Sequence, residues 1–211
     1  MAISISCFIG TNKNINLLLR RNWVIKNEYV NFENRKEKKI LSVGRLEDQK
    51  DFGFVINSLK NSNFVLDIIG EGSLKNELQK EANACGVKLN LLGPKTNEEL
   101  MKIMKEYRYF ISGSKFEGNP KAIIEAMSVG CVVIASNIKN HSELITDKTT
   151  GFLYSKDDSS FNIIIDQLGS NLKLEQKISI NSYNYINSEY SLQKIAEIEY
   201  QDYIHLDKEF K

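Results

Sequence analysis

The sequence has few of the residues that mark disulfide-rich or metal-binding proteins. Its 211 residues include three cysteines, Cys7, Cys85 and Cys131, and two histidines, His141 and His205. An odd number of widely spaced cysteines fits a reducing compartment and offers no metal-ligand spacing. Because the two histidines stand apart in the sequence, a zinc site is not expected either. With two prolines and no Ser/Gly tract, the sequence predicts no flexible linker.

Neither sign of charge is in excess, since 28 basic and 27 acidic side chains leave a formal net charge of +1. We therefore expect no field that recruits nucleic acid or an anionic membrane, and any bound anion needs a local site. Long apolar runs are also missing: CVVIA at 131–135 has the length of a strand, not the ~20 residues of a membrane span. These features predict a soluble protein of one domain plus a tail or part of a second.

From Lys39 onward, short apolar runs alternate with longer segments of helical periodicity. The apolar runs are rich in β-branched residues and lack strict alternation, which is typical of strands buried on both faces of a parallel sheet. The runs are KILSVG (39–44), FVLDIIG (64–70), VKLNLLG (87–93), RYFISG (108–113) and CVVIAS (131–136). The helical segments between them are 51–60, 73–86, 96–107 and 120–130. Five such units in series predict an α/β fold, a Rossmann-like doubly wound parallel sheet.

Local signals define several helix ends. Ser73 is a predicted N-cap and Gly86 a stop, and Thr96 with Glu99 three residues later forms a capping box. Pro120 suits the first position of a helix. Downstream, the pattern predicts helices near 141–146, 158–169, 173–187 and 191–208 and a strand at 151–154.

Residues 1–38 follow a different pattern. ISISCFI predicts a strand, INLLLRRN a helix, and WVIKNEYVNF a short strand that leads into the charged connector NRKEKK. One such unit cannot build its own core, so we expect it to belong to a domain that the chain otherwise lacks. The predicted organisation is a remnant of an N-terminal domain with its connector at 1–38, a sheet domain at 39–188 and a C-terminal crossover helix at 189–211.

Two basic side chains, Arg45 and Lys50, follow the first predicted strand. Ligands of doubly wound sheets bind at the carboxyl ends of the strands, so this loop is a candidate binding site. A guanidinium and an ammonium beside free helix N–H groups would clamp a diphosphate. The alternative is that both are solvated surface charges.

The segment SKFEGNPKAIIEAMSVG at 114–130 joins a glycine-proline turn to an apolar helix. Gly118 lets the backbone approach a ligand, Asn119 can cap the helix and Pro120 fixes its first turn. The N–H groups of the next three residues then have no intrahelical acceptor and can bind an oxyanion. These residues are Lys121, Ala122 and Ile123. A helix start that needs no ligand is the alternative.

Two glutamates lie in this segment with seven residues between them. Glu117 is in the turn, and Glu125 is inside the helix between Ile124 and Ala126, where an unpaired charge is costly. A carboxylate that faces a cleft would accept two hydrogen bonds from a ribose diol, as acidic residues do in dinucleotide sites. A solvated helix face is the alternative for Glu125.

Taken together, Arg45 with Lys50, GEG at 70–72 and FEGNPKAIIEAMSVGCVVIAS at 116–136 resemble a known family. They look like the C-terminal half of a GT-B glycosyltransferase of the large retaining family 4, the glycosyl transferases group 1 domain. The similarity covers about residues 39–205, and the paired glutamates are its most specific signature. GFLY at 151–154 with DD at 157–158 also matches the family's pattern.

The resemblance implies transfer of a hexose, with retention, from a nucleotide-diphosphate sugar to a polysaccharide or lipid-linked glycan. A UDP-sugar is the expected donor, with a GDP-sugar as the alternative. Arg45 and Lys50 would hold the diphosphate, Glu125 would hold the ribose, and Glu117, beside the sugar, would complete the catalytic set with Arg45 and Lys50. The implied donor-binding residues are Gly44, Arg45, Lys50, Gly93, Lys95, Glu117, Gly118, Asn119, Pro120, Lys121, Ala122, Ile123 and Glu125. Because no Asp-x-Asp motif occurs, we expect no metal and no cofactor.

The resemblance also implies a partner, since such enzymes bind the acceptor on an N-terminal domain. We expect that domain, or a partner chain that replaces it, to complete the enzyme, which would be cytoplasmic. The stretch INLLLRRNW at 15–23 fits a helix packed on that domain, the interpretation we favour, or peripheral contact with the inner face of a membrane. Two other functions stay open: a nucleotide-sugar-binding module without catalysis, such as a relic, and a sugar-nucleotide epimerase of the same architecture.

Overall fold

The computed structural model describes residues 22–156 and 159–209. The predicted strand ISISCFI and most of the predicted helix INLLLRRN lie outside these residues, as do Asp157 and Asp158. In the part of the chain that is described, no helix combines the length and the apolar composition of a membrane-spanning segment.

Six strands within the described residues form one sheet in the order β3-β2-β1-β4-β5-β6, and all neighbours are parallel. The strands are β1 (Lys36–Val43), β2 (Val65–Ile69), β3 (Lys88–Leu91), β4 (Tyr107–Ser112), β5 (Val132–Ser136) and β6 (Phe152–Tyr154). Strand order reverses between β1 and β4, which defines a doubly wound sheet with its switch point there. The predicted α/β Rossmann-like fold is confirmed.

Helices cover both faces of the sheet. They are α1 (Phe52–Ser58), α2 (Lys75–Cys85), α3 (Asn97–Met104), α4 (Lys121–Ser128), α5 (Lys139–Ser142), α6 (Ser160–Gln167), α7 (Leu172–Glu189) and α8 (Leu192–Glu209). The strand and helix predictions from residue 39 onward agree in type and order with these elements. The capping box of Thr96 and Glu99 is confirmed at the start of α3, and Gly86 ends α2 in the left-handed conformation.

Two predicted helix-start positions are wrong. Leu74, not Ser73, precedes α2, and Ser73 instead donates its N–H and its hydroxyl to the carboxylate of Glu47. Pro120 occupies the N-cap position of α4 rather than its first helical position. At Ser73, the bonds to Glu47 in the β1 loop take the place of a cap, and each helix begins one residue later than predicted.

The strands separate two apolar cores. Ile40 and Tyr109 belong to the core under α1, α2 and α6, whereas their neighbours Leu41 and Phe110 belong to the core under α3 and α4. All four side chains are at most 1% exposed. Because successive residues of a strand face opposite sides, burial on both faces requires the continuous apolar runs that the sequence shows.

Residues 22–31 do not form the predicted strand. Val24 makes a single bridge with Ser191, in which the Val24 N–H donates to Tyr190 and the Leu192 N–H donates to Val24. The Tyr183 hydroxyl donates to the carbonyl of residue 27 at 2.6 Å. The segment therefore lies beside the junction of α7 and α8 without joining the sheet.

Two buried arginines fix the following residues to the sheet domain. Arg35 donates to the carbonyl oxygens of Val30 and Val129, each at 2.6 Å. Arg108 donates to the carbonyl oxygens of Phe32 and Glu33, at 3.1 and 3.0 Å. Since Arg35 and Arg108 are 4% and 6% exposed, these bonds are shielded from water, and the connector is an integral part of the domain.

Gly70, between β2 and α2, makes the closest backbone approach to β1, and we predict that Gly70→Ala destabilises the fold strongly. A Cβ added there would lie 1.9 Å from the carbonyl oxygen of Gly44, and the φ angle of Gly70 is +148°. We expect the free energy of unfolding, measured by urea denaturation, to fall by about 3 kcal/mol or more.

Gly86→Ala is the matched control, because Gly86 has a φ of +70° and no atom within 4 Å of an added Cβ. Backbone strain alone should cost about 1–2 kcal/mol there. Equal losses in the two variants would contradict the close contact between the β1 and β2 loops.

Candidate functional site

The carboxyl ends of β1 and β4 are neighbours at the switch point, where doubly wound sheets bind ligands. Three contacts join the loops that follow these strands. The Lys115 N–H donates to the carbonyl of Gln49 at 2.9 Å, the Gln49 amide donates to the carbonyl of Phe116 at 3.0 Å, and Lys115 forms an ion pair with Asp48 at 2.5 Å. The loops therefore form one surface, although 67 residues separate them.

Lys50 and Glu117 meet at this surface in an ion pair between Nζ and Oε1. The Ser114 hydroxyl donates to the same carboxylate oxygen at 2.7 Å. The Ser136 hydroxyl in turn donates to the carbonyl oxygen of Ser114 at 2.6 Å, so β5 supports the turn from below. The structure thus brings together two of the three residues that the sequence predicts to be catalytic.

His141 lies beside this cluster and is fully buried. Its Nδ1 is 2.8 Å from the carbonyl oxygen of Ser136, so we assign the ring proton to Nδ1. Its Nε2 has no hydrogen-bond partner among the described residues. Burial lowers the pKa of His141, an effect that the hydrogen bond to Ser136 and the charge of Glu117 partly oppose. A neutral imidazole therefore packs beneath the Glu117 turn.

His141 stands alone in the sequence, and no motif there predicts its position next to the site. Its place five residues after Ser136, at the carboxyl end of a buried strand, is the available signal. No sequence motif predicts a role for the neighbouring Asn140 either, whose amide donates to the carbonyl of Gly118 at 2.8 Å and fixes the glycine-proline turn.

Glu125 is buried, with 5% of its surface exposed, so the solvated-face alternative is wrong. Its Oε1 accepts hydrogen bonds from the Asn97 amide at 2.7 Å and from the Lys121 ammonium at 2.8 Å. Asn97 opens α3, and no sequence motif connects it to Glu125. This buried carboxylate therefore has two polar partners and lies on the carboxyl-end side of the sheet, where a ligand-binding group is expected.

The start of α4 differs from the prediction in its free N–H groups. The Lys121 N–H donates to the carbonyl of Asn119 at 2.8 Å, and the Ile123 N–H donates to that of Pro120 at 3.0 Å. In the described residues, the Ala122 N–H is the one of the three without an acceptor. An anion that binds more than the Ala122 N–H would have to displace the local bond of Lys121 or Ile123, because a tight turn rather than a side-chain cap precedes the helix.

Arg45 and Lys95 are exposed in the loops after β1 and β3. Arg45 makes a long contact of 3.4 Å with the side chain of Gln49, and neither residue forms an ion pair within the described part of the chain. The N–H of Gly70 donates to the carbonyl of Gly93 at 3.1 Å, which connects the β3 loop to the β2 loop. Both cations lie at the edge of the sheet where the strands have their carboxyl ends, but in the described residues neither contacts Glu117.

Comparisons with known proteins identify relatives of this chain. The family described as glycosyl transferases group 1 matches residues 25–185. A Campylobacter jejuni protein named N-acetylgalactosamine-N,N'-diacetylbacillosaminyl-diphospho-undecaprenol 4-alpha-N-acetylgalactosaminyltransferase is 35% identical over 131 residues, or 59% of this chain and 35% of the relative. The capsular polysaccharide biosynthesis glycosyltransferase CapH of Staphylococcus aureus is 29% identical over 189 residues, which is 82% of this chain and 50% of the relative. The chain thus spans half or less of these relatives.

Among solved structures, a mutant of TarM from S. aureus, in complex with fondaparinux, alpha-GlcNAc-glycerol and UDP, has a similar fold. The TM-score is 0.76 at 24% identity, and the match covers 88% of this chain and 39% of the TarM chain. At this level of identity the similarity concerns the fold.

The buried, neutral His141 generates a prediction for stability against pH. Below its ordinary pKa of about 6.5, the unfolded chain binds a proton that the folded chain does not, so stability is lost as the pH falls. As the pH falls from 7.5 to 5.5, we expect this histidine to lower the free energy of unfolding.

Urea denaturation at the two pH values, in wild type and in His141→Asn, measures this contribution. Asparagine retains a donor toward Ser136 but does not titrate. The same pH dependence in the two proteins would contradict a depressed pKa at His141.

Proposed function

The chain belongs to the glycosyl transferases group 1 family, and from this premise we propose that it binds the sugar donor of a retaining GT-B hexosyltransferase. The donor would be a nucleotide-diphosphate sugar, preferably a UDP-sugar. The contact between Lys50 and Glu117 at the switch point is the observation that carries the proposal, because it brings together the cation that the family resemblance assigns to the diphosphate and the carboxylate that it assigns to the sugar.

Lys50 and Arg45 would bind the diphosphate. Lys50 lies at the end of a short 3-10 helix (Asp48–Lys50), and the exposed guanidinium of Arg45 is not committed to an ion pair within the described residues. A guanidinium presents two parallel N–H donors to phosphate oxygens, whereas an ammonium acts as a point charge. The two cations together compensate the charge of a bound diphosphate.

The same cations would promote departure of the nucleoside diphosphate. In the transfer step, the bond between the anomeric carbon and the diphosphate oxygen breaks with its electron pair on that oxygen. The acceptor hydroxyl forms the new bond on the same face of the sugar, and its proton passes to the departing diphosphate oxygen. Preorganised donors aimed at the departing oxygen stabilise the developing charge, and removal of one such donor typically lowers kcat by about 10²–10³-fold.

Glu117 and Glu125 would hold the two ends of the donor beyond the diphosphate. Glu117 is held in place by Ser114 and would accept a hydrogen bond from a sugar hydroxyl. Glu125 would accept hydrogen bonds from the ribose diol, with Asn97 orienting its carboxylate. The Lys121 side chain is 57% exposed and regains water when it leaves Glu125, and the ribose hydroxyls would replace its bond to the buried carboxylate.

The named relatives support a polysaccharide or a lipid-linked glycan as the acceptor. One name contains diphospho-undecaprenol, and the other concerns capsular polysaccharide. UDP in the TarM complex agrees with a UDP-sugar donor. We propose that an N-terminal GT-B domain or a partner chain supplies the acceptor site, and that transfer requires no metal and takes place in the cytoplasm, near a membrane if the acceptor is lipid-linked.

A module that binds the nucleotide sugar without catalysis is the second candidate. One observation favours it: the described residues contain a single set of strand-end loops, and these loops form the proposed donor side of the site. Assays with UDP-hexoses, with and without an undecaprenyl-diphosphate-linked acceptor, separate the possibilities. A transferase releases UDP and a product of retained configuration, a binding module leaves the donor intact, and an epimerase returns a changed sugar nucleotide without an acceptor.

We predict that Glu125→Ala removes nucleotide affinity without unfolding the chain. Loss of two hydrogen bonds to a charged group should weaken UDP binding about 10- to 100-fold. Both current partners of Glu125 have access to water, so the free energy of unfolding should change by less than about 1 kcal/mol. Calorimetric titration with UDP and GDP, together with urea denaturation, measures both quantities, and Arg45→Ala should show the same loss of affinity.

Glu175→Ala provides a buried carboxylate outside the site as the control. Glu175 is 3% exposed and accepts hydrogen bonds from the Tyr109 hydroxyl at 2.7 Å and the Gly169 N–H at 2.6 Å. Its loss should lower the free energy of unfolding by about 2–3 kcal/mol and leave UDP affinity unchanged. If Glu125→Ala behaved like Glu175→Ala, Glu125 would be structural. If wild type bound no nucleotide at millimolar concentration, the proposed function would be wrong.

A further inference from the structure

We infer that the ion pair of Lys50 and Glu117 makes the site prefer the intact sugar donor to the free nucleoside diphosphate, an inference that rests on the proposed function. The two residues are assigned to different parts of one ligand, the diphosphate and the sugar. In the structure, however, the ammonium of Lys50 binds the carboxylate of Glu117, so neither group is free for the part of the ligand assigned to it. A ligand must therefore exchange this pair for new partners.

Packing against the backbone of the β1 loop holds the Lys50 side chain in place. A Cβ added at Gly44 would lie between 2.8 and 3.0 Å from Cε, Cδ and Cγ of Lys50, so the lysine side chain runs closely over the backbone of the β1 loop. The side chains of Lys50 and Glu117 are 20% and 11% exposed. Both charges are thus largely removed from water, and separating them carries a desolvation cost that an exposed pair does not have.

The carboxylate is held in place independently of the lysine. Ser114 donates to Oε1 of Glu117, and the carbonyl of Ser114 is itself fixed by Ser136. Among the described residues, Oε2 of Glu117 accepts no hydrogen bond, so it is available to a ligand hydroxyl. Glu117 therefore keeps its position when Lys50 turns toward an anion.

These contacts give the two ligands different binding costs. Free UDP attracts the ammonium of Lys50 and adds negative charge beside Glu117, which is left partly buried with the Ser114 hydroxyl as its remaining donor. A UDP-sugar makes the same demand on Lys50, but its hydroxyl groups donate to Glu117 and replace the lost bond. The sugar hydroxyl groups thus offset the cost of separating Lys50 from Glu117. The product UDP lacks these groups, so its release after transfer is favoured.

Calorimetric titration of the full chain tests this exchange with UDP and with a panel of UDP-glucose, UDP-galactose and their N-acetylated counterparts. We expect wild type to bind at least one UDP-sugar more tightly than UDP. Glu117→Gln keeps the shape and the contact with Ser114 but removes the charge. It should bind UDP about five- to tenfold more tightly than wild type does and lose the preference for the sugar donor.

Two further variants assign the effect to the pair. In Lys50→Met, which removes the ammonium but retains an apolar stem, most of the gain from Glu117→Gln should disappear, as a double-mutant cycle reveals. Glu106→Gln is the matched control, because it removes a carboxylate from a 2.6 Å ion pair with Lys36 before the amino end of β4. It should leave both affinities within about twofold of wild type.

The outcomes separate the two proposals. If wild type binds UDP and its sugars but Glu117→Gln leaves UDP affinity unchanged or lowers it, the exchange is refuted and donor binding stands. An undiminished gain in the Lys50→Met background would also refute it, since general charge repulsion would then be the cause. Absence of binding by wild type and every variant, with their melting temperatures unchanged, would refute the proposed function and this inference together.

Discussion

The pairing of β1 with β4 is the contact on which the candidate site depends. Its register sets Ile40 beside Tyr109 and Leu41 beside Phe110, and it brings the loops that carry Lys50 and Glu117 to one edge. A slip of one residue would move every apolar side chain of a strand to the opposite core. The burial that stabilises the sheet therefore also fixes the site, and packing and function impose the same register.

Buried carboxylates in this domain differ in what surrounds them. Asp67 accepts hydrogen bonds from Tyr107, Asn90 and Lys39, and although burial alone would raise the pKa of Asp67, these bonds hold it below its ordinary value. Such a group is satisfied within the fold. Glu117 and Glu125 have two protein donors each, one fewer than Asp67, and in both cases one of the two is a lysine. Replaceable partners are what a ligand-binding carboxylate needs, because the ligand must substitute for them without leaving a buried charge unpaired.

Predictions from the sequence are confirmed where burial determines the apolar pattern of an element, and they are wrong where single hydrogen bonds determine the local backbone conformation. The apolar runs indicated all the sheet strands, since burial on both faces leaves a continuous signal. The strand predicted at 23–32 is wrong because Arg35 and Arg108, not a ladder, satisfy the carbonyl groups of that connector. The free N–H groups predicted at the start of α4 are partly occupied by a tight turn. The hydrophobic periodicity of the sequence does not indicate such single contacts.

The sequence by itself determined the α/β class, the order of elements and the loops in which Arg45, Lys50 and Glu117 lie, because hydrophobic period and turn chemistry are local properties. Tertiary structure alone decided that Lys50 pairs with Glu117, that Asn97 orients Glu125, and that His141 lies buried beneath the turn. These contacts join residues from different βα units, or depend on how completely a side chain is shielded. Their energies arise from desolvation and partner geometry, which exist only once the sheet has assembled.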